Sequence, residues 1–313
     1  MTTSLPPSAP LEAAADSEDE ASIACVLVFN ASDPSGAGGI SADVLAIASV
    51  GAHALPVLTG AYARDTAQVF DFFPLDEEAV GDQARAILED VPPQVIKVGF
   101  AGSAENLSII AELTADYDGV PVVAYMPNLS WWEDDQIDQY LDAFRELLLP
   151  QTSVLVGHHS TLRRWLLPDW SSEKNPGPRD IAKAAAELGV PYTLVTGLSS
   201  TDQQIDNVLA TPETMVGHEK FERIEAVFSG AGETLSAALA ALLATVLDLS
   251  AAASEALHYL DRCLDEGFRP GMGHVIPDRL FWALPETDDE EEAGEGPDMN
   301  ADFFEMPIND TKH

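Results

Sequence analysis

Basic residues are scarce in this chain. Five lysines and ten arginines stand against 53 acidic residues, for a formal charge of −38 over 313 residues. Such a surface excludes nucleic acid and anionic membrane as partners, because both are held through a cationic footprint. Any anionic substrate must be met by local donors working against the overall field. Cysteine is nearly absent as well. Cys25 and Cys263 show neither metal-ligand nor redox spacing, which excludes a disulfide framework or a cysteine-built metal centre. Both fall in apolar-periodic stretches and read as buried free thiols in a reducing cytoplasm. No apolar run reaches the roughly 20 residues that span a bilayer; the stretch at 234–248 is too short. The first residues, MTTSLPPSAPLEAAADSEDEAS, lack a basic region followed by an apolar core, so no secretory signal is expected. The low lysine content suits a salt-rich cytoplasm, where screening shortens the reach of self-repulsion.

What is present is a large apolar fraction, 46%, enough for a substantial core. Residues 1–22 and the run from 286, including ETDDEEEAGEGPD, are acidic and poor in aliphatics, and read as disordered extensions. No linker, repeat or low-complexity break divides the remainder, so one domain is expected over 23–285. Within it short apolar runs alternate with helical ones. ACVLVFN (24–30) reads as a strand, GISADVLAIASVG (39–51) as a helix and HALPVLTG (53–60) as the next strand. The alternation continues through PQVIKVGF (93–100) to PYTLVTG (191–197). This is an α/β pattern: βαβ units in a mostly parallel sheet with helices on both faces. IDNVLATPETMVGHEKFERIEAVF (205–228) breaks the rhythm, and its alternating apolar residues around a turn predict an antiparallel hairpin at the sheet edge. Two helices, 231–247 and about 250–266, close the domain.

In such sheets ligands bind beyond the carboxyl ends of the strands. Three glycine-rich stretches fall there: SDPSGAGG (32–39), VGFAGS (98–103) and SGAGE (229–233). The first opens a helix directly after a strand. Gly36 and Gly38 allow close backbone approach to a ligand, and Asp33 and Asp43 can accept hydrogen bonds from one. The alternative is a tight turn in which Asp33 is only a local cap. No lysine follows at the spacing of a Walker loop. In the second turn the amides of Gly230, Ala231 and Gly232 can cradle a phosphoryl group at a helix N-terminus. Glu233 beside them can take a proton from an attacking hydroxyl. It can equally be a first-turn acid worth only about 0.3–1 kcal/mol to the helix.

DPSGAGGISAD, GAGETLSAALAALLA and the closing GFRPGMGHVIP (267–277), with IKVGFAGS and LLPQTSVLV between them, resemble the ribokinase-like superfamily. The nearest branch is the hydroxymethylpyrimidine and phosphomethylpyrimidine kinases of thiamine biosynthesis, and the resemblance is colinear over roughly 24–284. It implies a three-layer α/β/α domain that uses ATP and Mg²⁺ to phosphorylate a pyrimidine alcohol and then the resulting monophosphate. It also implies Asp43, Arg64 and Phe100 at the substrate, with Thr196, Gly197, Gly271 and Gly273 at the nucleotide. Family members usually pair as homodimers, although the sequence itself carries no sign of an interface.

Several matched positions depart from the family pattern. Glu233 stands where the branch has Cys and the wider superfamily Asp. Arg64, in AYARDT, replaces a Gln that reads the pyrimidine amino group, and Arg has donors only. Phe100 replaces Met, Tyr125 an acid, and Thr196 a Lys. His158 and Thr161 replace the Asn and Glu of a motif that organises Mg²⁺ and phosphates, which leaves the metal ligands unassigned. Three readings follow: a pyrimidine kinase, a kinase of the same fold with another acceptor that Arg64 contacts, and a non-catalytic ligand-binding descendant.

Overall fold

A computed structural model describes residues 23–201, 203–245 and 248–283. The extensions expected at 1–22 and 286–313 lie outside the described residues. Among the described residues those through Phe281 form one compact unit, and Trp282 and Ala283 belong to a second.

Among the described residues the strands form a single nine-stranded sheet. Six of them run parallel: β1 (Cys25–Ser32), β2 (His53–Arg64), β4 (Val95–Val98), β5 (Val122–Tyr125), β6 (Val154–His158) and β7 (Tyr192–Thr201). Antiparallel strands flank them: β3 (Val69–Pro74) at one edge, β8 (Gln204–Ala210) and β9 (Met215–Glu222) at the other. The order is β3-β2-β1-β4-β5-β6-β7-β8-β9. Helices α1 (Gly39–Ser49), α7 (Ala231–Thr245) and α8 (Leu249–Asp265) cover one face, and α2 (Glu77–Leu88), α3 (Ala104–Ala115), α4 (Asp134–Ala143), α5 (His159–Leu166) and α6 (Pro178–Glu187) the other. The continuous apolar run of β1 serves both layers. Successive side chains point to opposite faces, so Val26 and Val28 join the α1/α7/α8 core while Leu27 and Phe29 join the other.

Helix α7 is apolar all round because it is covered all round, by α1, α8 and strands β4 and β5. Leu235, Leu239 and Leu242 are buried there, and each contributes about 1.5–3 kcal/mol by leaving water. A core this fixed sets the position of the turn that precedes it. The antiparallel edge at β8–β9 matches the expected hairpin. The other edge was not legible as a strand: β2 runs on past Gly60 to Arg64 and returns as β3. Asp65 makes that return by accepting from the amides of Ala67 (2.7 Å) and Gln68 (2.8 Å), an Asx-type turn. Cys263 is buried as expected. Cys25 is only partly covered, because it begins β1 at the rim of the sheet. No described helix is long and apolar enough to cross a membrane.

Candidate active site

The loop after β1 is organised by Asp33. Its Oδ1 accepts from the amide (2.8 Å) and hydroxyl (2.6 Å) of Ser35, and its Oδ2 from the Gly38 amide at 2.9 Å. Arg64 adds a fourth bond, Nη1 to Asp33 Oδ2 at 3.1 Å, and reaches with Nη2 to Ser229 Oγ, also 3.1 Å. Asp33 is therefore 3% exposed and fully engaged: it shapes the loop, and Arg64 ties that loop to the segment entering the second glycine turn.

The two turns are in direct contact. Gly230 has φ +87°, and a Cβ there would overlap the Ala37 carbonyl oxygen, so both conformation and space require glycine. Arg279, 4% exposed, sits across the junction. Its guanidinium donates to Gly36 O (3.2 Å), to Ala37 O, and through Nε to Thr234 Oγ1 (2.9 Å), which in turn donates to Gly230 O at 2.8 Å. Burial pushes its pKa down, but Glu233 and other acidic neighbours oppose that shift. Thr234 N–H bonds Gly230 O at 2.9 Å. The amides of Ala231, Gly232 and Glu233 precede that bond and have no helical carbonyl behind them, the usual state of a helix N-terminus.

Glu233 lies half-buried across the same junction. Its Oε1 accepts from Gly39 N at 3.1 Å, and a Cβ on Gly38 would meet its carboxyl carbon at 2.8 Å. One carboxylate thus faces the N-termini of two helices, α1 and its own α7. Burial raises its pKa; Lys97 and the Gly39 amide oppose that, while Asp43 and Asp33 add to it.

Asp43 and Phe100, expected at the substrate, are both buried among protein partners. Asp43 is completely buried, with Lys97 Nζ at 2.7 and 2.8 Å from its two oxygens and Asn30 Nδ2 at 2.7 Å. Its acceptors serve the seam between α1, β1 and β4. Phe100, 1% exposed, is enclosed by Tyr62, Phe72, Trp131, Trp132 and Tyr140, with ring centroids 4.9–5.8 Å away. The ring expected to stack on a pyrimidine stacks instead on Tyr62, at 5.7 Å and 20°.

On the other side of the GAG turn a cavity of about 470 Å³ opens between the β7–β9 edge and α8. Thr196, Gly197 and Asn207 line one wall, Leu257, Leu260 and Leu264 another, and Ala231 its inner end. That volume falls in the range of small-molecule sites. His158 also lines it and packs its ring on Gly197. Its Nδ1 accepts the Ser160 amide at 3.2 Å, which assigns the proton of the neutral ring to Nε2. Burial, then His159, lowers the His158 pKa and favours that neutral form. Gly271 and Gly273, expected at the nucleotide, are not among the lining residues. Gly273 N donates to Thr66 Oγ1 and His274 N to Thr66 O, at 3.1 and 3.0 Å. The segment around them is a strap: Val275 pairs with Val227 and Ser229 through bonds of 2.9 Å, so it joins the β2–β3 turn to the approach of the GAG turn. Glycines suit that strap because a Cβ on Gly273 would collide with the Thr66 backbone.

The family model for phosphomethylpyrimidine kinase matches residues 33–278, from Asp33 to the residue before Arg279. The chain belongs to the phosphomethylpyrimidine kinase family. It is a kinase, and every glycine turn described here falls inside the matched span. The hydroxymethylpyrimidine/phosphomethylpyrimidine kinase of Mycobacterium leprae is 26% identical over 263 residues, covering 82% of this chain and 94% of its own. That of Streptomyces coelicolor is 28% identical over 262 residues, covering 83% and 96%. A Bacillus subtilis pyridoxal kinase solved as an ADP complex shares the fold, with a TM-score of 0.74, 22% identity and coverage of 84% and 100%.

Mg²⁺ is implied by the family, and the donors present at the glycine turns bear on whether it fits. Among the described residues no three His, Cys, Asp or Glu side chains are grouped to hold a metal ion. The strand ends facing the GAG turn carry Tyr125 and His158, and Thr161 follows on α5. These three side chains alone do not make a protein-held Mg²⁺ site; the carboxylates at the junction are Asp33 and Glu233. The groups available to a phosphoryl oxygen are backbone amides, hydroxyls, a neutral imidazole and Arg64. Two residues of this phosphomethylpyrimidine kinase family site escaped sequence reasoning, Arg279 and Lys97. The available signal was their placement: each is a lone cation in an apolar stretch of a chain with few cations, HVIPDRLFW and QVIKVGF.

Proposed function

We propose that this protein transfers the γ-phosphoryl group of ATP to hydroxymethylpyrimidine, and then to the monophosphate, as a kinase of thiamine biosynthesis. One observation carries the reading. The Glu233 carboxylate is held on Gly39 N–H where two glycine turns meet, beside three helix-terminal amides, with Ala231 opening onto the 470 Å³ cavity. The cavity takes the nucleotide, with its base toward α8 and its phosphates toward Ala231. The acceptor approaches from the opposite side, between Tyr62 and Arg64.

The acceptor hydroxyl gives its proton to Glu233 as its oxygen bonds the γ-phosphorus. The bond from that phosphorus to the β–γ bridging oxygen breaks, and ADP leaves with the electron pair. The amides of Ala231, Gly232 and Glu233 stabilise charge on the transferring group, as fixed dipoles that need no reorganisation. A carboxylate whose pKa burial has raised is a stronger base than a solvated one. Arg64 favours a second reading of the acceptor. With donors only, and one of them on Asp33, it suits a ring edge or phosphate that accepts hydrogen bonds better than one that donates.

ATP consumption with hydroxymethylpyrimidine, measured for the wild type and Glu233→Gln, tests the assignment. Turnover in the wild type and a drop of about 10²–10⁴-fold in the variant are expected. Equal rates remove Glu233 from the chemistry, and absence of turnover on any hydroxymethyl heterocycle removes the kinase reading.

A further inference from the structure

Beneath the Gly230–Gly232 turn lies a hydroxyl that neither the base nor the amides account for. Tyr125 is the last residue of β5 and is half-buried. A Cβ on Gly232 would overlap its hydroxyl oxygen and meet its ring at Cζ, 2.6 Å away. The glycine of this turn is thus what makes room for the phenol. Among the described residues the hydroxyl makes no hydrogen bond. Glu233, whose Oε1 accepts from Gly39, lies near enough to act on the phenol electrostatically. Buried donors are ordinarily paired, and a half-buried one is left free to meet a ligand or water. Here a phenol without a protein partner lies against Gly232, in the turn whose amides have no helical carbonyl behind them. Burial, together with the carboxylates of Glu233 and Asp43, holds the Tyr125 pKa above its ordinary value, and the phenol remains a donor at neutral pH.

We propose that Tyr125 is a catalytic residue of the phosphoryl transfer, its O–H donating to a non-bridging oxygen of the phosphoryl group held at Ala231, Gly232 and Glu233. The proposal rests on the kinase reading. No proton leaves the phenol: the acceptor's proton goes to Glu233, and the O–H bond of Tyr125 stays intact while its hydrogen bond strengthens as charge moves onto the equatorial oxygens. A neutral donor suits this position, because it stabilises that charge without pairing with and neutralising the base beside it.

Tyr125→Phe is the test, in the full chain, because it keeps the ring that packs on Gly232 and removes only the hydroxyl. With ATP and hydroxymethylpyrimidine, kcat is expected to fall about 10²-fold, while KM for both substrates stays within about twofold. Binding of ADP with aluminium fluoride should weaken by a similar factor while binding of ADP alone is unchanged. Equal kcat in the two proteins overturns the proposal and leaves the kinase reading standing, as does a loss confined to KM for the acceptor. A wild type without turnover defeats the kinase reading instead, and the ADP–aluminium fluoride titration then decides. Weaker binding by Tyr125→Phe supports the hydroxyl's role, and equal binding overturns it.

Discussion

Lys97→Met probes the assignment of Asp43 to the fold. Both side chains of the pair are 0% exposed, and the ammonium lies 2.7–2.8 Å from both carboxylate oxygens. Removing one partner of such a pair leaves a buried charge uncompensated, which costs about 3–5 kcal/mol. Among the described residues the other donor to Asp43 is Asn30 Nδ2 at 2.7 Å, one neutral hydrogen bond, and it offsets little of that. The total stability of a domain is about 5–15 kcal/mol, so the single variant should be strongly weakened. Lys97→Met with Asp43→Asn removes both charges and keeps an acceptor for Asn30, and it should recover roughly 2–3 kcal/mol of the loss. Equilibrium unfolding in guanidinium chloride at pH 7 reads both, with Trp131 and Trp132 as reporters because their rings pack on Phe100, two residues beyond β4. In the double variant KM for the acceptor should stay within about twofold. A Lys97→Met protein within about 1 kcal/mol of wild type, or a double variant as weak as the sum of the singles, would refute the buried-pair argument. A rise in KM of about tenfold or more would return Asp43 to the substrate.

Other expectations concern the junction of the two turns. Because burial raises the pKa of Glu233, and a base must be ionised, kcat/KM should rise with pH along a limb above the ordinary carboxylate value of about 4.3; a pH profile flat across that limb contradicts the assignment. For a carboxyl whose folded pKa is raised, stability falls as pH climbs from the unfolded value through the folded one. Glu233→Gln should therefore melt higher than wild type at pH 7, with the gap closing near pH 4, and thermal scans at both values check it. Gly230→Ala must hold φ +87° against the Ala37 carbonyl; about 1–2 kcal/mol for the left-handed backbone alone, plus the collision, should show as a lower denaturation midpoint and lost turnover. Arg279→Met leaves the carbonyls of Gly36 and Ala37 without their charged donor. Each abandoned group costs about 1–3 kcal/mol, and because the pin joins both turns, kcat should fall with stability.

What the sequence made legible, and what it did not, divides along a physical line. Glycine-rich turns between strand and helix were legible because their function lies in the backbone: Gly230 and Gly38 do their part through φ and missing side chains, which are local properties. The apolar run at 234–248 likewise declared a buried helix, and its burial fixes where Glu233 starts. What the sequence did not show is surroundings whose partners come from far along the chain. Arg64 bonds Asp33 and Ser229, 31 and 165 positions away, and Arg279 bonds Ala37 from 242 positions away. No window of sequence contains those pairs. Asp43 and Phe100 align with ligand-contacting positions, yet Lys97 and five aromatic rings surround them, and Gly271 and Gly273 pack on Thr66 in the β2–β3 turn. Resemblance therefore carries over the backbone of the glycine turns more securely than the surroundings of a side chain, since amides survive substitution and side-chain partners do not. The same reasoning points to Tyr125 as the residue to watch. It stands where the family pattern has an acid, so its chemistry has changed, but Gly232, which gives it room, is part of the turn that has not.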